Sequence, residues 1–420
     1  MNPSPQHPFL AEQLTQLAET YGTPVWLYDA PTIRARIAQL SAFDVVRFAQ
    51  KACSNTHILK LMRTQSVKVD AVSYGEIIRA QTAGYLAAEI VFTCDVLDID
   101  SCEKVVNDGI AVNVGSIDML HQLAAESARV GKTGHPVWIR INPGFGHGHS
   151  QKTNTGGENS KHGIWHQDLA LALALIDTLG LTLIGLHMHI GSGVDYAHLS
   201  SVCSAMVALI KESGANVQAI SAGGGLSTPY QAGQERVDIA HYFSLWDAAR
   251  LEIAAHLGHP VTLEIEPGRF LVAESGVLLS RVRSIKNMGA HQFVLVNAGF
   301  NDLMRPALYG SYHHISVLPH ALSPSLSERE TAAVVVGGPL CESGDVFTQQ
   351  EGGFVAQRPL PQPVIDDLLV FHDTGAYGAS MSSNYNSRPF SPEVLIDGEH
   401  TQLIRRRQTI AELLALEDTL

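Results

Sequence analysis

Lys51 closes a short apolar, β-branched run, VVRFAQK. A lysine in such surroundings gives up its proton more readily and can attack a carbonyl as a free amine. The default for a lysine at a strand end is solvation, so its meaning depends on its companions. One companion is Ser221-Ala222-Gly223-Gly224-Gly225-Leu226, where consecutive glycines let backbone N–H groups converge on an anion such as phosphate. A triple glycine alone is more often a tight turn. Arg269 adds a cation beside the same anion or beside a substrate carboxylate. Glu266, before Pro267 and Gly268, is a carboxylate that burial makes costly unless it is paired.

His187-Met188-His189 points two imidazoles the same way by strand alternation. A metal would need further ligands, and the later runs offer glycines and glutamates, so no metal site is expected. His189 reads better as a flat ring against a flat cofactor, and His187 as a core residue. Glu264, two residues before Glu266, reads as a structural hydrogen-bonding group. His147, His149 and His162 read as a polar loop. An imine-forming lysine, a phosphate loop, a ring-facing histidine and a carboxylate for a ring nitrogen together describe one cofactor, pyridoxal 5'-phosphate, whose pyridine nitrogen must stay protonated to draw electrons.

These residues lie at the ends of repeated elements. Eight apolar runs recur with helical patterns between them: VVRFAQK to Lys51, VKVDAVS to Ser73, EIVFTC to Cys94, IAVNVGS to Ser116, PVWIRIN to Asn142, LIGLHMHI to Ile190, VQAISAG to Gly223 and VTLEIEPG to Gly268. The intervening segments, roughly 55–64, 75–84, 98–108, 117–130, 165–179, 196–213 and 235–257, carry Leu, Ala and Ile at helical spacing. Eight βα units predict a (β/α)8, TIM-like barrel over residues 26–272, with a doubly wound sheet as the alternative. Such a barrel gathers its active groups at the C-terminal strand ends and favours phosphate after strands 7 and 8. The candidates above sit there. After about residue 272 the pattern turns to strands and long loops, predicting a mostly-β domain of residues 273–420 joined by residues 1–25.

The 420 residues are 45% hydrophobic and 16% charged, which suits two packed domains. A formal charge of −13 argues against nucleic acid or an anionic membrane as partner. Cys53, Cys94, Cys102, Cys203 and Cys341 are odd in number and lack a CxxC pair, which suits free thiols. MNPSPQHPFL has no signal-peptide pattern, and Leu169–Ile190 is interrupted by Asp177, Gly180 and two histidines. A cytoplasmic protein with no membrane span is the expectation.

Beyond these readings the chain resembles the diaminopimelate decarboxylase family, in the group of barrel-type pyridoxal-phosphate decarboxylases that includes ornithine and arginine decarboxylases. The matching motifs are Phe48-Ala-Gln-Lys51-Ala, His189-Ile-Gly-Ser192-Gly, Gly223-Gly-Gly225, Glu266-Pro-Gly-Arg269, Cys341-Glu342-Ser343 and Asp373-Thr-Gly-Ala-Tyr377-Gly. They run from about residue 25 to 390 and are closest to the enterobacterial type, which has KACSN where most members have KAN. The resemblance implies an α/β chain with an alanine-racemase-like barrel and a C-terminal mostly-β domain. It implies that Lys51 carries the cofactor through an imine and that His189 stacks on the ring. Ser192, Gly223–Gly225 and Gly268 would hold the phosphate, and Glu266 would pair with the pyridinium. Tyr377 would reach cofactor and substrate. Cys341 would be the proton donor and Glu342 a substrate contact, both supplied by the partner subunit of a head-to-tail homodimer. Arg269, Arg305 and Tyr309 would bind the far end of the substrate. Cys53, where most members have Asn, and the long His-rich loop 146–163 depart from the usual pattern.

Meso-diaminopimelate carries a second carboxylate and ammonium far from the reacting carbon, and Arg305 with Glu342 offers a cation and an anion for them. An ornithine site needs only an anion, and an arginine there would repel the ammonium, at a cost of roughly several kcal/mol. The alternatives are a related basic amino-acid decarboxylase, a racemase, whose neutral pyridine would face an arginine rather than Glu266, and a non-catalytic cofactor-binding homologue.

Overall fold

The computed structural model describes residues 9–146, 155–189, 191, 193, 195–350 and 352–417. The chain divides into two compact units, one of residues 36–227 with 236–270, the other of residues up to 35 with 228–235 and 271–420.

In the first unit, eight parallel strands among the described residues form a closed barrel: Val45–Ala49, Lys68–Ala71, Ile90–Thr93, Ala111–Val114, Pro136–Asn142, Thr182–His187, Ala219–Ser221 and Thr262–Ile265. The last pairs with the first at Glu264↔Val45 and Ile265↔Val46, which closes the ring. Each strand is the core of one of the eight apolar runs read from the sequence. Barrel strands are covered on both faces, so they read as continuous apolar segments. Helices Thr56–Thr64, Tyr74–Thr82, Ile99–Asp108, Ile117–Arg129, Leu169–Thr178, Tyr196–Ser213 and Ile239–Leu257 fill the intervals. Several start on side-chain caps: Asn55 accepts from His57 N, Ser73 from Glu76 N, Asp195 from Ala197 and His198 N, Asp238 from His241 N.

The strands end earlier than the runs. The first stops at Ala49, and Lys51 stands in the 3-10 turn Gln50–Ala52, exposed between two buried neighbours. Bonds between strand ends continue past the sheet: Met188 N donates to Ser221 O, Ala222 N to Glu264 O, Glu266 N to Gly223 O and Ala49 N to Pro267 O, at 2.8–3.2 Å. The chemistry-bearing residues therefore stand in short, tied loops rather than on strands.

In the second unit the strands run in the order Arg358–Pro361, Thr331–Gly337, His291–Val296, Gly276–Met288, Val25–Asp29, Glu393–Asp397, His400–Arg405, with Leu368–Phe371 pairing both Gly276–Met288 and Ile315–Leu318. Helix Ala11–Tyr21 buries Leu14, Leu17 and Ala18 against Val25, Leu27, Val277, Leu279, Val370 and Val394. A barrel boundary at residue 26 is therefore too early. Val25–Asp29 is a central strand of the β unit, antiparallel to Gly276–Leu279 and parallel to Glu393–Ile396. Its neighbours are hundreds of residues away, so no local pattern marks it.

Candidate active site

In the barrel unit the site is built around Glu266. Its Oε2 lies 2.8 Å from His187 Nε2, and its Oε1 accepts from Ser221 Oγ at 2.8 Å. Ser221 Oγ in turn accepts from Gly223 N at 3.1 Å. Glu266 and His187 are both buried. Burial alone would raise the Glu266 carboxyl, but the His187 imidazole, its hydrogen bond, the Ser221 hydroxyl and Arg47 hold it well below the ordinary carboxylate range. Glu266 is an ionised acceptor. His187 is buried, as expected of a core residue, and it is also the partner that makes this possible.

Asp70, on strand Lys68–Ala71, behaves in the opposite way. Burial first and the Glu266 charge second push it up to about 8, against Lys51 and a hydrogen bond from Thr93. At neutral pH it keeps its proton. Two carboxyls within electrostatic reach of each other thus hold different protonation states, a feature of acid–base sites. Arg140 is buried nearby, its pKa lowered by desolvation while Asp95, Glu266 and Asp70 pull the other way. Neither Asp70 nor Arg140 was singled out from sequence. Each is a charged residue interrupting a mostly apolar run, VKVDAVS or PVWIRIN, and that interruption is the available signal.

Lys51 follows the first barrel strand and Glu266 the eighth, and these strands are neighbours. Ala49 N donates to Pro267 O at 3.1 Å, so the two loops are tied together at one mouth. Lys51 also acts electrostatically on Asp70, Glu76 and His189. Burial, then the charges of Arg140 and Lys51, hold His189 well below the ordinary histidine value, so its ring is neutral.

The glycine run is demanded by close packing. A Cβ on Gly223, at φ +62°, would lie 2.6 Å from both His189 Cβ and Met188 O. On Gly224 it would meet Glu266 O at 2.8 Å, and on Gly225, at φ +104°, Gly191 O at 2.6 Å. Gly191, Gly193, Gly224, Gly225, Tyr242 and Trp246 line a cleft at the start of helix Tyr196–Ser213. Ser192 lies outside the described residues, as do His147 and His149. A Cβ on Gly268 would lie 3.2 Å from Ala49 O, and Arg269 begins the turn Arg269–Val272, half-buried.

An ionised carboxylate, a neutral flat imidazole, an exposed amine and a glycine-walled cleft fit pyridoxal phosphate by charge and by shape. Glu264 is paired elsewhere: Arg47 donates to it at 2.5 and 3.1 Å inside the barrel, in keeping with its structural reading. His162 Nδ1 lies 2.6 Å from Asp95 Oδ2. Among the described residues no three His, Cys, Asp or Glu side chains converge to hold a metal ion, and no helix is long and apolar enough to cross a membrane.

The other candidates belong to the β unit. Arg305, buried, starts the five-residue helix Arg305–Tyr309, and Tyr309 is exposed. Cys341 and Glu342 are exposed on a loop held at both sides. Cys341 N donates to Asn386 Oδ1 at 3.0 Å, and the buried Asp345 carboxylate accepts from Leu340 N and Phe300 N at 2.7 Å each. Tyr377 sits at φ +57° in Asp373-Thr-Gly-Ala-Tyr377-Gly. A Cβ on Gly375 would be 1.9 Å from Val272 O, which explains the glycine there.

A family model described as pyridoxal-dependent decarboxylase, pyridoxal binding domain, matches residues 32–273. The diaminopimelate decarboxylase of Escherichia coli K12 is 66% identical over 411 residues, covering 97% of this chain and 96% of that protein. A crystal structure of diaminopimelate decarboxylase matches with a TM-score of 0.94 at 64% identity, over 99% of this chain and 98% of that one. The diaminopimelate decarboxylase of M. jannaschii in co-complex with L-lysine matches with a TM-score of 0.86 at 30% identity, over 97% and 95%.

Proposed function

Because the chain belongs to the pyridoxal-dependent decarboxylases, and among them to the diaminopimelate decarboxylase family, we propose that it removes one carboxylate of meso-2,6-diaminopimelate to give L-lysine and carbon dioxide. Pyridoxal phosphate, when bound, supplies an electron sink for the charge left on carbon as carbon dioxide departs. The chain's own residues do the rest. Lys51 would anchor the cofactor through its amine. Glu266 would accept a hydrogen bond from the ring nitrogen and favour its protonated form. His189 would stack against the ring. Ser192, Gly223, Gly224, Gly225 and Gly268 hold the phosphate, with Arg269 beside them.

Further residues complete this reading. Tyr377 contacts cofactor and substrate, while Arg269, Arg305 and Tyr309 take the far end of the substrate. Cys341 delivers the proton to carbon, a role open to a thiol at neutral pH, and Glu342 takes the distal ammonium. Both come from the partner subunit of a homodimer with shared active sites. Their exposure in the single chain supports that placement.

The observation that carries the proposal is the tie between the Lys51 and Glu266 loops at adjoining strands, with Glu266 ionised. An ionised carboxylate favours decarboxylation over racemisation, which suits a neutral pyridine facing arginine. The purified protein should be yellow, and borohydride should bleach it and fix the cofactor to Lys51. Lys51→Ala should release carbon dioxide from diaminopimelate at less than about a thousandth of the wild-type rate. Turnover of Lys51→Ala near wild type would end the assignment.

A further inference from the structure

The β unit holds a second polar cluster, around Arg305, whose bonding pattern dictates the state of each member. Arg305 Nη1 is 2.9 Å from His313 Nε2, and Arg305 Nη2 donates to Ser311 Oγ at 3.3 Å. His313 Nδ1 is 2.9 Å from the backbone carbonyl of His372. A carbonyl can only accept, and a guanidinium can only donate. His313 must therefore be neutral, with its proton on Nδ1 and its lone pair on Nε2 aimed at Arg305. Both residues are buried.

The ring of Tyr230 completes the cage. It stands edge-on to His313, with centroids 5.4 Å apart and planes at 82°, and the Arg305 Cζ lies 4.9 Å from its centroid. The partners that orient the guanidinium include a lone pair, a hydroxyl and an aromatic face. The carbonyl that fixes His313 is that of His372, one residue before Asp373 and the segment leading to Tyr377. The His372 ring is itself held by Ser316 Oγ at 2.8 Å.

We propose that His313 is a positioning residue for substrate recognition: its neutral ring aims the Arg305 guanidinium and so sets the preference for a substrate with a carboxylate at its far end. This rests on the reading above that Arg305 meets the distal carboxylate. In this reading His313 acts through Arg305 rather than on the substrate directly. Substitution should raise KM and leave kcat at saturation nearly unchanged.

The test uses the holoenzyme and three variants. His313→Phe keeps the ring and its packing but removes the acceptor; His313→Gln keeps an acceptor near the Nε2 position. A hydrogen bond to a charged group contributes about 1.5–3 kcal/mol, so His313→Phe should raise KM for meso-diaminopimelate and Ki for L-lysine about tenfold or more. L-lysine retains the distal carboxylate. The Ki for 1,5-diaminopentane, which lacks it, should stay within about twofold of wild type, since no contact to that carboxylate is involved. His313→Gln should recover most of the loss. A His313→Phe enzyme with wild-type KM, or one that weakens both amines equally, overturns the proposal. Arg305→Met separates the two levels. If it strongly weakens L-lysine while His313→Phe does not, His313 alone is excluded. If it has no effect, the assignment of Arg305 itself falls.

Discussion

Glu266 Oε2 and His187 Nε2 are 2.8 Å apart in the buried mouth of the barrel, and the remaining carboxylate oxygen is taken by Ser221. A carboxylate in that position would otherwise be driven toward its neutral form by burial, and a neutral acid could not hold a pyridinium proton in place. If Glu266 pairs with the pyridine nitrogen as proposed, His187 supports that pairing by holding the carboxylate ionised.

His187→Phe should therefore keep the fold but lower kcat about 10- to 100-fold, since the lost bond to a charged group is worth roughly 1.5–3 kcal/mol. The pH dependence has a definite sign. Glu266 is depressed in the folded state, so it stabilises the protein above its ordinary value of 4.5, and this contribution is lost as pH falls through the lower folded value. In the cofactor-free protein, acid unfolding followed by circular dichroism should begin at higher pH in His187→Phe than in wild type. Superimposable acid transitions would show that His187 does not hold the carboxylate.

Asp70 gives the opposite sign. Its folded pKa is raised to about 8 from 3.8, so its contribution is fully present below 3.8 and is lost as pH rises through about 8. Asp70→Asn, which copies the protonated shape, should show a melting temperature that gains on wild type as pH rises from 4 to 8. Each kcal/mol corresponds to about 2–4 °C in a domain of this size. A constant offset across that range would mean that Asp70 is ionised throughout.

How much of this was legible in the sequence follows from what each element depends on. The barrel strands announced themselves because each is buried on both faces, and the helices because Leu, Ala and Ile recur at their period. Val25–Asp29 was assigned to the wrong unit because its partners, Gly276–Leu279 and Glu393–Ile396, are distant in sequence. Lys51, Glu266 and the glycine run were legible by type and by place at strand ends. The role of His187 was not. Alternation puts His187 and His189 on the same side, but it cannot say that one meets a carboxylate and the other the glycine loop. Asp70 and Arg140 belong to no spaced motif, and only the closure of the barrel brings them near Glu266.

Gly225 offers a test of the cleft. Alanine there would have to adopt φ +104° and place Cβ 2.6 Å from Gly191 O. Strain of this kind costs about 1–3 kcal/mol, so the variant should lose cofactor affinity by about 5- to 150-fold. Gly258→Ala is the control, since it shares a positive φ, +77°, but meets no atom within 4 Å. It should lower the melting temperature slightly and leave cofactor affinity intact. Equal cofactor affinity in the two variants, read by absorbance titration, would detach the glycine run from the cofactor site.

The loop that presents Cys341 is held by Asn386, whose Oδ1 accepts from Cys341 N at 3.0 Å while its own backbone stands at φ +54°. If Cys341 delivers the proton to carbon, Cys341→Ala should bind cofactor as wild type does and lose turnover by roughly 10²–10⁴, the usual weight of a positioned acid. Asn386→Gly tolerates the backbone angle and removes only the acceptor, so it isolates the hold on the loop. It should lower kcat several-fold, about the effect of one neutral hydrogen bond, because the proton donor is displaced, and it should raise KM as well, because Glu342 stands on the same loop. Single-turnover measurements in deuterated water should show the solvent isotope effect on product release of lysine growing in Asn386→Gly as proton delivery becomes slower. A kcat unchanged in both variants would remove Cys341 from the reaction and leave its loop a purely structural element of the β unit.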